Sequence, residues 1–292
     1  MNNKERVKEM HDFYIENKSI SKVSKKFNCC TKSLKNWFNK DGLLYPIPDY
    51  NKRLNYNEKY FDIIDNQKKA YLLGYFFADG GMYERTRYKN DLSKSISLNC
   101  VLEDRELLDF FARELNFEGT FLLKKETEFL APNKKFYTRK KQISFSITSK
   151  YLFDSLVKFG LGSRKTYKDL HLPNLKKEFK ADFIRGYFDG DGCISGKDNR
   201  ISVSFTSKTN SLLDSLSIYL TENNIKSSVR YEKNRDVYNL IIYTIKDVHK
   251  FYNFIYNNHS FCLKRKYVKF NEVLLKSGEL LEKQEIVNQQ PS

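Results

Sequence analysis

The chain has 292 residues, with 52 lysines and arginines against 36 aspartates and glutamates, for a formal net charge of +16. That length holds two domains, or one duplicated domain with an appendage, and that charge attracts polyanions, nucleic acid first among them. The composition excludes other classes: MNNKERVKEM is charged and is no secretory signal, no apolar run reaches the ~18 residues of a membrane span, and five scattered cysteines and four histidines lack zinc-ligand spacing.

Residues 1–45 read as a small helical unit. Ile20, Val23 and Phe27 keep helical spacing. Asn28-Cys29-Cys30 breaks the run, and Thr31 is a fair N-cap for TKSLKNWFNK, a helix expected to bury Leu34, Trp37 and Phe38. Asp41-Gly42 closes it. Between 17 and 40 there are seven lysines and no acidic residue. The pattern VSKKFNCCTKSLKNWF resembles the helix-turn-helix of resolvases and transposases. That resemblance makes Thr31 to Asn39 a recognition helix, with Lys32, Ser33, Lys35 and Asn36 facing a DNA groove. Residues 46–67, with Pro46 and Pro48, read as a linker.

From residue 68 the chain repeats itself. LLGYFFADGG (72–81) and IRGYFDGDGC (184–193) both contain Gly-Tyr-Phe-x-x-Asp-Gly. Gly74 and Gly186 stand at the same separation as Asp79 and Asp191. This period is too long for a short-repeat solenoid and points to a duplicated domain. After the first helix come strand SKSISLNCV (93–101), helix 103–117, further strand sequence including QISFSITSK (142–150), and helix 151–161. The second copy has helix 180–191, strand 200–208, helix 209–224, strands in SSVRYEKN and DVYNLIIYTI, and helix KDVHKFYNFIYN. The order is αββαββα, twice, in repeats at 68–174 and 175–277. Residues 278–292 read as a polar tail.

The strands alternate strictly. Ser95, Ser97 and Asn99 oppose Ile96 and Leu98. Ser144, Ser146 and Thr148 oppose Ile143, Phe145 and Ile147. Ser202, Ser204 and Thr206 oppose Ile201, Val203 and Phe205. Each sheet is therefore expected to bury one face and wet the other. Small hydroxyl and amide side chains among many lysines and arginines suit a strand face that reads duplex DNA.

Gly74 and Ala78, and likewise Gly186 and Gly190, are four apart and share a helix face. Small residues there let the two helices pack closely about a pseudo-twofold axis, which sets Asp79 and Asp191 side by side. Two carboxylates at the negative ends of two helices form an oxygen-rich pocket. A divalent cation relieves their repulsion, and hard oxygen ligands with room for water favour Mg²⁺.

LLGYFFADG and IRGYFDGDG resemble the two signature helices of the LAGLIDADG homing endonucleases, and the resemblance spans roughly residues 68–276. It implies an α+β fold, a monomeric pseudo-twofold saddle of two antiparallel sheets astride double-stranded DNA. It also implies site-specific cleavage with Mg²⁺ or another divalent cation such as Mn²⁺, leaving short 3′ overhangs. The last acidic residue of each motif, Asp79 and Asp191, would be catalytic and metal-binding. Asp189 sits where the first copy has Phe77 and is turned off the metal face. The basic residue that the family uses near its metals best matches Lys264 in LKRKYVKF. The first copy has LGSRKTYK there, so Ser163 replaces the lysine, and Arg164 or Lys165 is its expected substitute. Arg185 is read as outward-facing. A silent DNA-binding regulator and an intron maturase share the fold, though a regulator has no need for two opposed carboxylates. The ends of the chain lack splicing residues, so a freestanding or intron-encoded protein of the cytoplasm or an organelle is expected.

Overall fold

A computed structural model describes residues 3–17, 19–43, 55–86, 92–130, 135–164, 169–197 and 200–288. The chain divides into two compact units, Met1–Leu54 and Asn55–Ser292.

Among its described residues the first unit packs three helices, α1 (Asn3–Asn17), α2 (Ile20–Lys26) and α3 (Thr31–Lys40). Ser19 caps α2 by accepting from the Lys22 amide at 3.4 Å. Val7, Met10, Tyr14, Val23, Leu34 and Phe38 form its core. Two details differ from expectation. The N-cap of α3 is Cys30 rather than Thr31. Trp37 is 38% exposed instead of buried, because Leu34 and Phe38, four apart, already face the core.

The second unit carries both repeats. The first contains α4 (Gln67–Asp79), β1 (Gly81–Thr86), β2 (Leu92–Val101), α5 (Arg105–Glu114), β3 (Leu122–Lys124), β4 (Thr127–Leu130), β5 (Phe136–Arg139), β6 (Gln142–Thr148) and α6 (Lys150–Val157). The second contains α7 (Lys177–Asp191), β7 (Gly192–Lys197), β8 (Arg200–Ser207), α8 (Ser211–Glu222), β9 (Ser228–Glu232), β10 (Val237–Ile242), α9 (Ile245–Tyr256) and α10 (Lys264–Asn288). The sheets are antiparallel, ordered β1-β2-β6-β3 and β7-β8-β10-β9. Each repeat is αββαββα. The β4–β5 ribbon is an insertion in the first, and α10 is an addition to the second. Helix starts are fixed locally: Asn66, Ser149 and Thr244 accept from the amides of Lys69, Leu152 and Asp247. No helix among the described residues is long and apolar enough to cross a membrane.

The linker expectation for 46–67 needs correction. Residues 46–54 lie outside the described residues. Residues 55–66 belong to the second unit, where Tyr60, Phe61 and Ile64 are buried and Phe61 packs edge-on against Phe76. Residues 278–288, expected as part of a polar tail, continue the α10 helix.

Arg185 is not outward-facing; it is the largest fully buried side chain among the described residues. It pairs with Asp182 at 2.5 Å and donates to the carbonyls of Ile255 and Phe261. Helix α7 packs on α4 on one side and on its own repeat on the other, so it has no outward face at that position. The buried charge is tolerated because each donor group finds an acceptor.

Candidate metal and nucleic-acid site

The centre of the second unit is the crossing of α4 and α7. A Cβ on Gly74 would lie 1.9 Å from the Phe183 carbonyl oxygen, and one on Gly186 would lie 1.9 Å from that of Tyr71. The contacts are reciprocal, backbone against backbone. One turn on, a Cβ on Gly190 would meet the Ala78 Cβ at 2.2 Å and the Asp79 carboxylate at 3.4 Å. Asp79 therefore lies against the residue that precedes Asp191, and both aspartates are exposed. Gly80 and Gly192 let the chain leave each helix, since a Cβ there would strike the ring of Phe76 or Phe188 at 2.2 Å.

Each aspartate has a tyrosine one turn before it. Tyr75 donates to the Asp79 carboxylate at 3.0 Å. Burial, followed by the negative charge of Asp79, raises the Tyr75 phenol far above its ordinary pKa. Burial and the charge of Asp191 do the same to Tyr187. Both phenols stay neutral. Asp189, as expected, is elsewhere: it is buried and accepts from Tyr71 at 2.7 Å and from the Leu263 amide at 2.8 Å. Burial pushes its carboxyl up to about 6.

The basic residue at the centre is Lys266, not Lys264. Lys264 is exposed, and its backbone amide donates to Glu106. Lys266 is buried, and its ammonium donates to the carbonyls of Phe188, Gly190 and Gly192 at 2.6, 3.3 and 2.5 Å. It thus holds the carboxyl end of α7, where a cation suits the helix dipole. Burial pushes Lys266 down to about 8, while Asp189, Asp79 and Asp191 pull upward. Its placement is set by neighbours that tie α10 to both repeats. Arg265 makes a bidentate pair with Asp104 at 2.8 and 3.0 Å, and Phe261 stacks on Phe110 at 4.0 Å. One signal in the sequence marks Lys266: it lies in the stripe Leu263, Lys266, Phe270, Leu274, all buried. In the first copy Arg164 is exposed, and Lys165 lies outside the described residues.

No cluster of three His, Cys, Asp or Glu side chains poised for a metal occurs among the described residues. Asp79 and Asp191 offer two exposed carboxylates at the ends of two helices in contact. That set fits a hard cation that keeps water or takes substrate oxygens in its remaining positions. A cavity of about 250 Å³ opens beside Asp191, bounded by Phe77, Ala78, Tyr187, Thr206 and Lys208.

The register sets the outer sheet faces. In the second sheet Ser202 pairs with Ser195, Ser204 with Cys193 and Ile241, and Thr206 with Asn239, which pairs with Arg230. Ser202, Ser204 and Thr206 are half-buried, and Thr206 donates to Asn239 at 2.7 Å. In the first sheet Ser146 is exposed, and Ser95 and Asn99 are half-buried. Ser97 and Ser144 depart from expectation by being buried. Ser97 shares the side of Gly81 with the Tyr83 ring, and Ser144 donates to the Leu122 carbonyl at 3.4 Å. Alternation correctly assigns their face; it does not reveal what covers it. In the first unit Lys32, Lys35 and Asn36 are exposed and Ser33 is half-buried.

Residues 178–256 match the family model of the LAGLIDADG-like domain. Two solved structures are similar in fold. The LAGLIDADG meganuclease I-AabMI bound to uncleaved DNA is 14% identical over 75% of this chain and 92% of that one, with a TM-score of 0.51. The LAGLIDADG homing endonuclease I-GzeII in complex with its DNA target is 10% identical over the same shares, with a TM-score of 0.50. A probable translation initiation factor IF-2 of Methanocaldococcus jannaschii is 30% identical over 129 residues, 41% of this chain and 11% of the relative. The chain spans about a tenth of that protein, whose activity therefore carries nothing over.

Proposed function

We propose, from the LAGLIDADG-like domain matched in the second repeat and the fold shared with LAGLIDADG endonucleases, that this chain is a site-specific, metal-dependent DNA endonuclease that cuts both strands and leaves short 3′ overhangs. The observation that carries the reading is the pair Asp79 and Asp191, each ending one of two helices in reciprocal backbone contact. The DNA-bound state of I-AabMI and I-GzeII supports a duplex substrate. Asp79 and Asp191 hold a divalent cation, Mg²⁺ or Mn²⁺, which when bound activates water and stabilises charge on the phosphodiester. Tyr75 orients the Asp79 carboxylate. Lys266, rather than Lys264, adds a fixed positive charge beside the carboxylates. The half-buried and exposed polar residues of the sheets face base edges, with lysines and arginines on the phosphates. The chain acts as a monomer, since it contains both halves of the site. The test is incubation with duplex DNA in Mg²⁺ or EDTA. Linear products that appear only with the cation support the reading; DNA that is bound and left whole with Mg²⁺ or Mn²⁺ sinks it.

Two further results are expected. Lys266 is a cation below its pKa of about 8. The cleavage rate of the wild type divided by that of Lys266→Met therefore falls as pH rises through about 8, where the ammonium loses its proton. A ratio that climbs through that range removes the electrostatic role.

The second concerns the N-terminal unit, to which we assign helix-turn-helix contacts at the flank of the target through Lys32, Ser33, Lys35 and Asn36. Removing residues 1–45 shortens the footprint and weakens binding, by about 1–3 kcal/mol for each base that is no longer read, and leaves the cut position unchanged. Footprinting of both proteins on one duplex measures this. The same protected base pairs with equal affinity would make the unit only a cap.

A further inference from the structure

The β4–β5 ribbon lies outside both four-stranded sheets and has no place in the proposed chemistry. Its register pairs Phe129 with Tyr137 and Leu130 with Phe136. Paired residues share a face and successive residues alternate. One face therefore carries Phe129 and Tyr137, with Arg139 next along it. The other face carries Leu130 and Phe136. These side chains are 42%, 46%, 58% and 74% exposed for Phe129, Tyr137, Leu130 and Phe136, and none belongs to the hydrophobic core. Apolar side chains this exposed on both faces of one narrow ribbon mark a binding surface.

Charge selects the partner. Residues 122–142 hold seven lysines and arginines against two glutamates. A second copy of this chain would bring like charge against like, whereas a polynucleotide complements it. The rings select which polynucleotide. A ribbon in the groove of an intact duplex turns one face to the base edges and leaves the other in water, so it has use for one apolar face only. Bases that have left the stack are flat apolar plates, and aromatic side chains bind them face to face without regard to sequence. The guanidinium of Arg139 already lies over the Phe129 ring at 5.2 Å, a geometry that extends the stacking platform.

We propose that the β4–β5 ribbon is a stacking arm that grips single-stranded or locally unstacked DNA, with Phe129, Tyr137 and Phe136 as its platforms. This goes beyond duplex cleavage and stands on different residues, so either can fail without the other.

The test uses the full chain and two DNA probes: an oligonucleotide with a single-stranded stretch containing 2-aminopurine, and an intact duplex with the same base at the same position. Stacking on a ring quenches this base. The wild type is expected to quench it in the single-stranded probe. Phe129→Ala/Tyr137→Ala is expected to weaken single-strand affinity about tenfold or more, the low end of the contribution of aromatic stacking, and to lose the quench, while duplex affinity changes less than about twofold. Leu130→Ser/Phe136→Ser tests the second face in the same way. These side chains are exposed, so the variants should melt with the wild type, which checks that they fold. Unchanged single-strand affinity and quenching would overturn the proposal. So would an equal loss on both probes, which places the ribbon in a duplex groove, or a change in self-association alone, which makes it a protein contact.

Discussion

Asp79→Asn and Asp191→Asn are each expected to abolish the proposed double-strand cleavage and leave duplex binding nearly intact. An amide keeps the size and one acceptor oxygen of the carboxylate but loses the charge. Bound metal contributes several kcal/mol to the transition state, so losing one ligand lowers the rate by about three orders of magnitude or more. On the proposed function, binding rests on the sheet faces and the positive charge of the chain, which these changes leave in place. Supercoiled plasmid separates the outcomes. Intact plasmid from both variants is the expected result. Nicked plasmid from one variant assigns each carboxylate to its own strand. Linear product at the wild-type rate from either variant removes that residue from the chemistry.

Gly74→Ala and Gly186→Ala are each expected to destabilise the second unit. The new methyl would stand 1.9 Å from a backbone carbonyl oxygen of the facing helix. No side chain can rotate to make room, so the helices must separate. Overpacking of this sort costs about 1–3 kcal/mol, occasionally more. Alanine returns about 1 kcal/mol of helix propensity, which offsets only part of it. In a domain of this size the net loss lowers Tm by a few degrees, roughly 2–4 °C per kcal/mol. Cleavage falls further than Tm, because the separation also pulls Asp79 from Asp191. Thermal melting without metal, beside cleavage at a temperature where each variant is folded, distinguishes the two effects. A Tm equal to the wild type would mean that the helices do not meet at these glycines.

Much of the centre is legible from sequence because it depends on period. The repeated Gly-Tyr-Phe-x-x-Asp-Gly places a glycine and an aspartate at fixed intervals on two helices, and the helical turn then sets their faces. The sheets are legible for the same reason, since alternation assigns faces without knowledge of pairing. What fails depends on a second surface. Lys264, Arg265 and Lys266 are consecutive cations, and the start of α10 decides which points inward. Arg185 is ordinary in sequence and buried in the structure because α7 is covered all round. Ser97 and Ser144 lie on the expected face, but Tyr83 and β3 come from other strands to cover them. Tyr60 and Phe61 sit in polar, turn-rich sequence, and only contact with α4 and α5 makes them core.

On the proposed function, Asp79 and Asp191 form one metal site from two repeats. Crystals of the protein with its target duplex, grown with Mn²⁺ and measured for anomalous scattering, test it most directly. The account predicts anomalous density at the α4–α7 crossing, within coordination distance of both carboxylates. Mn²⁺ bound only elsewhere on a complex that cuts its DNA would contradict it.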